Sequence, residues 1–360
     1  MSHKKWCILF TVTFIAALFL VCFSVILTDP FFHYHAPVSC FRYELENQRS
    51  INNGIIRNFD YNAIISGTSM TENFKTSEAD ALFGKNFIKV PFSGGGFKEI
   101  NENIRLGIQT HPEVSCVIRS IDQYAIDMDK DYERSDLGSY PTYLYDNNYI
   151  NDIKYVLNKD IVLGRSLPML IDYLKGKEGK VLSFDEYSYW ASEFPFGAEY
   201  VLEGYSSFPP HGEQNEALPQ EDIVQIEENI RQNVTSLPAQ YPNITFYYFM
   251  PPYSAVYWEQ FWQWGSFLQH IEIQKIAIEE MLKYPNIKLY SFNTNVDLIT
   301  DLSKYKDSGH FDAQVSSWIL EQIHEGNGLL TQENYMDYLE KMKNFHMNFD
   351  YNTLFDQLES

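Results

Sequence analysis

The feature that most restricts this chain stands at its start. Trp6 to Leu27 is a run of 22 residues without one charge. Wound as a helix it would reach roughly 33 Å, enough to cross a hydrocarbon core of about 30 Å. Lys4 and Lys5 precede the run, and Asp29 is the first acidic residue after it. The preference of Lys for the cytoplasmic side puts residues 1–5 in the cytoplasm as a stub, 6–27 across the membrane, and residue 28 onward outside. The rival reading is a cleaved signal peptide. Its apolar stretch would be about 7–15 residues, followed by a small-x-small site. Ser24–Pro30 offers no such site, so an uncleaved, single-pass anchor in a cell membrane is expected.

Charge narrows the partners. The chain carries 27 Lys and Arg against 48 Asp and Glu, a formal net charge of −21. A nucleic-acid binder needs a basic face to displace counterions, so no nucleic-acid partner is expected. With 16% aromatic residues the chain also has the apolar payload that disordered chains lack. Among the four cysteines, Cys7 and Cys22 lie in the apolar run. Cys40 and Cys116 fall outside, where a disulfide could persist, but nothing in the sequence pairs them. Cys116 stands in an apolar, strand-like run and reads as a buried free thiol.

After an aromatic juxtamembrane segment, 28–59, strands and helices alternate through 60–330. The runs at 62–66, 86–90, 114–121, 244–250 and 287–292 read as five strands, apolar and β-branched as in a parallel sheet buried on both faces. Helical spacing lies between them, for example at 97–110, where Ile100, Ile104 and Ile108 share a face. The alternation lapses over about 122–220, which reads as a large insertion, and 331–360 reads as a helical tail. The expected class is therefore α/β: a doubly wound, mainly parallel five-stranded sheet with a large insertion, preceded by one transmembrane helix.

In such a sheet, function gathers beyond the carboxyl ends of the strands. The first strand is followed by Gly67-Thr68-Ser69, the second by Ser93-Gly94-Gly95-Gly96, and the third by Asp122-Gln123. The fourth is followed by Pro251-Pro252-Tyr253, and the fifth, past a short loop, by Asp307-Ser308-Gly309-His310. A serine hydroxyl becomes nucleophilic only beside a base. His310 can be that base for Ser69, and Asp307 can hold the imidazole in the right tautomer. Backbone N–H groups at Met70, Gly94 and Gly95 can face a developing oxyanion. Each piece also has a plainer use: Ser69 as a helix cap, His310 as a surface residue at a helix start.

These blocks resemble the SGNH/GDSL hydrolase superfamily, with Gly67-Thr68-Ser69 as the first block and Asp307-x-x-His310 as the last. Thr68 stands where Asp is usual. Ser120-Ile121-Asp122-Gln123 stands where the family carries an oxyanion-hole Asn. With the anchor, the chain looks like the bacterial extracytoplasmic members that serve polysaccharide O-acetylation and teichoic acid D-alanylation. The resemblance implies acyl transfer to or from a cell-envelope polysaccharide or teichoic-acid-like polymer, beside a multi-spanning membrane O-acyltransferase. Ser69 would be the nucleophile, His310 the acid and base, and Asp307 its orienter, with no metal or nucleotide cofactor needed. Asp122, Gln123, Tyr253 and His211 are candidate substrate contacts. Two other readings stay open: a catalytically inactive accessory protein that binds polymer or scaffolds an acyltransferase, and a plain lipase-like enzyme, which would need an apolar acyl groove.

Other patterns carry less. His33 and His35 have no third metal ligand nearby in sequence, and suit an interfacial aromatic belt. Asp127, Asp129 and Asp131 imitate the start of a calcium loop, but Tyr132 stands where its central Gly is needed. Trp190 and the tyrosines around it are expected to be packing residues, although aromatic faces there could stack on sugar rings.

Overall fold

The computed structural model describes residues 1–136, 140–181 and 183–359. Its chain divides into two units, Met1–Phe59 with Leu137–Ser183, and Asp60–Asp136 with Phe184–Ser360.

The first unit begins with α1 (His3–Thr28), the one helix among the described residues that is long and apolar enough to cross a membrane. Within it only Val25 and Thr28 are buried. The helix stops where Pro30 follows, and Asp29 turns left-handed with a φ of 38°. The buried Asp29 carboxylate then accepts the backbone N–H groups of His33 (3.0 Å), Tyr34 (2.7 Å) and His35 (3.0 Å), and the Tyr155 hydroxyl at 2.9 Å. Burial pushes its carboxyl up, and those donors pull against the rise. The two histidines have local partners: His33 meets Asp152 at 3.2 Å, and the His35 ring meets the carbonyls of Ala36 and Ile26.

The stretch 122–220 does not stay together. Its 137–183 part groups with the anchor helix, and 184–220 stays with the sheet. Sequence proximity could not show this, because membership depends on which core a side chain joins. Tyr155 joins that of the first unit, stacked on Phe31 at 5.7 Å.

The second unit is built on a six-stranded sheet. In chain order the elements that place the site are β1 (Ala63–Gly67), α2 (Thr76–Phe83), β2 (Phe87–Pro91), α3 (Phe97–Thr110) and β3 (Cys116–Ser120). They are followed by β4 (Thr245–Met250), α4 (Ala255–Gln263), β5 (Ile287–Ser291), α5 (Ala313–Glu325) and β6 (Leu329–Leu330). The spatial order is β2-β1-β3-β4-β5-β6. The first five strands are parallel and β6 is antiparallel to β5. The expected count of five strands is thus corrected to six. Two residues are too few to show an alternating pattern, so β6 exists only by pairing with Tyr290 and Leu289.

Both faces of the sheet are covered. On one, Tyr247 and Phe249 of β4 meet Phe83 of α2 and Phe74. On the other, Arg119 of β3 donates to the carbonyls of Asn233 and Phe97 and lies over the Phe97 and Tyr248 rings. The strand order reverses between β1 and β3, which leaves a crevice beyond their carboxyl ends.

Candidate active site

Ser69 lies at that crevice. Gly67 ends β1 with a φ of +154°, and a Cβ there would stand 2.4 Å from the Ser120 Oγ, so only glycine fits. Thr68 then starts the single turn Ser69–Thr71. Ser69 is half-buried. The loop after β5 carries Asp307 and His310, and is held from the next strand end. Ser254 donates from both its backbone N–H and its hydroxyl to the Ser308 carbonyl, at 3.1 and 2.7 Å.

The two segments meet. Ser69 Oγ lies 2.8 Å from His310 Nε2. On the other side of the ring, His310 Nδ1 lies 2.9 Å from Asp307 Oδ2 and 3.0 Å from Oδ1. Asp307 Oδ1 also accepts the backbone N–H groups of Gly309 (2.9 Å) and His310 (2.8 Å). Burial alone would raise the Asp307 carboxyl. The hydrogen bond and charge of His310, helped by those two N–H groups, outweigh burial and bring it down to about 2. Asp307 is therefore a fixed acceptor, which puts the Nδ1 proton toward it and leaves Nε2 facing the serine.

The expected oxyanion donors fare unequally. The Gly95 N–H is committed to the Phe92 carbonyl at 2.8 Å, and so closes its own turn instead of facing Ser69. Gly94 has a φ of +59°, with the Arg134 guanidinium packed where a Cβ would stand. The Met70 N–H makes one long contact, 3.4 Å, to Thr68 Oγ1.

Of the expected substrate contacts, Asp122, Gln123 and Tyr253 are buried and His211 lies at a cavity of its own. Asp122 is 0% exposed and Gln123 is 1% exposed, so neither reaches solvent. Asp122 sits beneath the Ser69 turn and accepts hydroxyl protons from Thr68, Ser120 and Tyr253. The Gln123 amide donates to His270 Nδ1 at 3.1 Å and accepts from Gln274 at 2.9 Å. Tyr253 is also buried, because its ring closes over Asp122 and stacks on Tyr257 at 4.1 Å. His211 pairs with Glu259 at 3.0 Å and stacks on Trp262, in a cavity lined by Phe208, Phe349 and Tyr351. None of these partners belongs to the Ser69–His310–Asp307 chain.

Two residues not expected here stand beside it. The Trp190 and His310 rings meet nearly at right angles, 5.7 Å between their centres. Lys306 Nζ lies 4.3 Å from the centre of the Trp190 ring, 4.2 Å from that of Phe194, and 4.0 Å from Asp307 Oδ2. Trp190 also meets Phe194 at 6.1 Å and stacks on Phe196 at 6.2 Å. The only sequence signal for Lys306 was its place next to Asp307. Among the described residues no cluster of His, Cys, Asp or Glu could hold a metal ion, and all four cysteines are free thiols.

The fold and site define a mixed α/β protein with a hydrogen-bonded Ser–His–Asp chain at its switch point. No protein-family model and no curated protein matches this chain. Among solved structures it is similar to a protein of Streptococcus pneumonia provisionally described as a platelet activating factor. The likeness covers 82% of this chain and 92% of that one, at 12% identity and a TM-score of 0.38. Those values do not place the chain in that protein's family.

Proposed function

We propose that this protein is a membrane-anchored serine esterase or O-acyltransferase of SGNH type, working outside the cytoplasm on acyl esters of a cell-envelope glycopolymer. The observation that carries the reading is the unbroken chain from Ser69 Oγ through His310 to Asp307, with every link at 2.8–3.0 Å. In the forward step His310 Nε2 takes the Ser69 proton as the oxygen attacks the acyl carbon. Asp307 stabilises the imidazolium that forms. His310 then returns the proton to the departing alcohol oxygen. Water or a second sugar hydroxyl, deprotonated by the same imidazole, releases the acyl group from Ser69. The resemblance to SGNH proteins supports the polymer substrate and a multi-spanning acyltransferase as partner. The apolar helix with Lys4 and Lys5 before it supports an anchor with its N-terminus in the cytoplasm.

A second reading, an inactive accessory protein, draws on the Gly95 N–H, which is tied up in its own turn. Treating the full chain in detergent with a serine-directed fluorophosphonate separates the two. Intact mass should show one adduct on the wild type and none on Ser69→Ala or His310→Ala. A folded wild type that takes no adduct would favour the accessory reading.

A further inference from the structure

Asp122 is a carboxylate with no cation hydrogen-bonded to it, fully buried under the serine turn. Its three partners are all hydroxyls: Thr68 Oγ1 at 2.8 Å, Ser120 Oγ at 2.6 Å and the Tyr253 hydroxyl at 3.3 Å. Each of these hydroxyls also receives a backbone N–H. Met70 N–H donates to Thr68 Oγ1 at 3.4 Å, Thr68 N–H to Ser120 Oγ at 3.3 Å, and Gln123 N–H to the Tyr253 hydroxyl at 3.3 Å. An amide can only donate, so it meets a lone pair of the hydroxyl and leaves the hydroxyl proton to point elsewhere. In all three cases it points at Asp122. The result is three N–H···O–H···carboxylate relays converging on one group.

Two of those relays start at Thr68 and Met70, the residues on either side of Ser69. The third runs through Tyr253, whose ring backs Gly309 and whose neighbour Ser254 holds the Ser308 carbonyl. Asp122 thus ties the turn that carries the serine to the loop that carries the histidine. Burial pushes the Asp122 carboxyl up, and the three hydroxyls, with His310 behind them, pull against the rise. We infer that Asp122 is a positioning residue, a buried carboxyl group that sets the Ser69 turn and ties it to the His310 loop through hydroxyl relays. The inference rests on the hydrolase reading above and deepens it. It assigns a role to the carboxylate standing where the family pattern would put a donor.

The charged and titratable groups around the pair are few. Asp122 also interacts with Arg119, Tyr124, Tyr253 and Tyr257. Burial holds all three tyrosine hydroxyls well above their usual range, so they stay neutral. The Arg119 cation is engaged by the Asn233 and Phe97 carbonyls. On the far side of the imidazole stand Asp307 and Lys306.

The test is the rate of fluorophosphonate labelling against probe concentration, for the full chain in detergent, in wild type, Ser69→Ala, Asp122→Asn and Tyr253→Phe. Thermal melting reports whether each variant is folded. Asp122→Asn keeps the shape but turns one acceptor oxygen into a donor, so at least one relay to the Ser69 turn breaks. Labelling should slow by between about tenfold and a hundredfold. The loss should fall on the covalent step, with the probe concentration that half-saturates labelling little changed, which a general loosening of the fold would not do. Tyr253→Phe, which leaves two relays in place, should slow labelling by about two- to fivefold. Asp122→Asn with the wild-type rate, or with its loss wholly in probe binding, overturns the inference and leaves the hydrolase reading intact. A wild type without Ser69-dependent labelling overturns that reading and the inference with it. If Asp122→Asn does not fold, Tyr253→Phe decides, and an unchanged rate there overturns the inference.

Discussion

Ser69 Oγ and His310 Nε2 lie 2.8 Å apart although 241 positions separate them in the chain. The contact exists because β1 and β5 run parallel in one sheet, so the segments that leave them emerge at the same edge. The imidazole is held from behind by Asp307, and from its flank by Trp190.

Asp307→Asn should leave the fold standing and remove most of the reactivity. The amide can present its N–H to His310 Nδ1, which leaves the ring proton on Nε2 and Ser69 without a base. The fluorophosphonate labelling rate should fall on the order of 10³- to 10⁴-fold, with melting temperature little changed. A fall of less than about tenfold would show that Asp307 does not set the tautomer.

Trp190→Ala should act on the same imidazole from outside the hydrogen-bonded chain. Lys306 loses a cation–π contact worth about 0.5–1 kcal/mol. Its ammonium, 4.0 Å from Asp307 Oδ2, is then free to compete with His310 for that carboxylate. Labelling should slow by about three- to tenfold, and adding Lys306→Met should restore part of it. If the double variant is slower than the single one, competition by Lys306 is not the cause.

Lys89 should make stability depend on pH. It is fully buried on β2, and its ammonium donates to the carbonyls of Glu72 and Phe74. Burial brings its pKa down to about 7. In the unfolded chain a lysine titrates near about 10.4. Between those values the unfolded state binds a proton that the folded state lacks, so stability rises with pH across that window, and the full burial cost applies below about 7. Melting temperatures of wild type and Lys89→Met at about pH 6 and about pH 9 check this. The wild type should gain more on going to pH 9, and equal slopes would refute it.

Asp29→Asn should loosen the unit that carries the anchor helix. One carboxylate oxygen accepts the N–H groups of Tyr34 and His35, and an amide nitrogen in its place would face two donors. The cost should be about 2–4 kcal/mol, seen as faster proteolysis within residues 140–181. Protection equal to wild type would mean that water or a shifted backbone replaces the lost acceptor.

Much of the architecture was legible because local chemistry demands it. A charge-free run from Trp6 to Leu27 has one favourable environment as a helix. The strands around Ile64, Val117 and Phe249 are apolar without alternation because both faces of their sheet are covered. Even Ser69 and His310 could be proposed as partners, since each followed a strand end.

What stayed hidden depends on distance and burial. Asp122 reads in sequence as a polar residue free to meet a substrate. The fold instead closes Tyr253 over it and surrounds it with hydroxyls, a surrounding assembled from three strand ends. Gly95 reads as a free donor, yet the turn spends its N–H on Phe92. The 137–183 stretch reads as part of one insertion, yet Tyr155 is drawn to Asp29 and Phe31. The sequence by itself determined the apolar helix, the strands and the residue types able to do the chemistry, because those follow from periodicity and composition over a few neighbouring positions. The tertiary structure alone decided which polar groups face solvent and which face one another, because a hydrogen bond or a burial cost is set by atoms that the folded chain brings together from far apart.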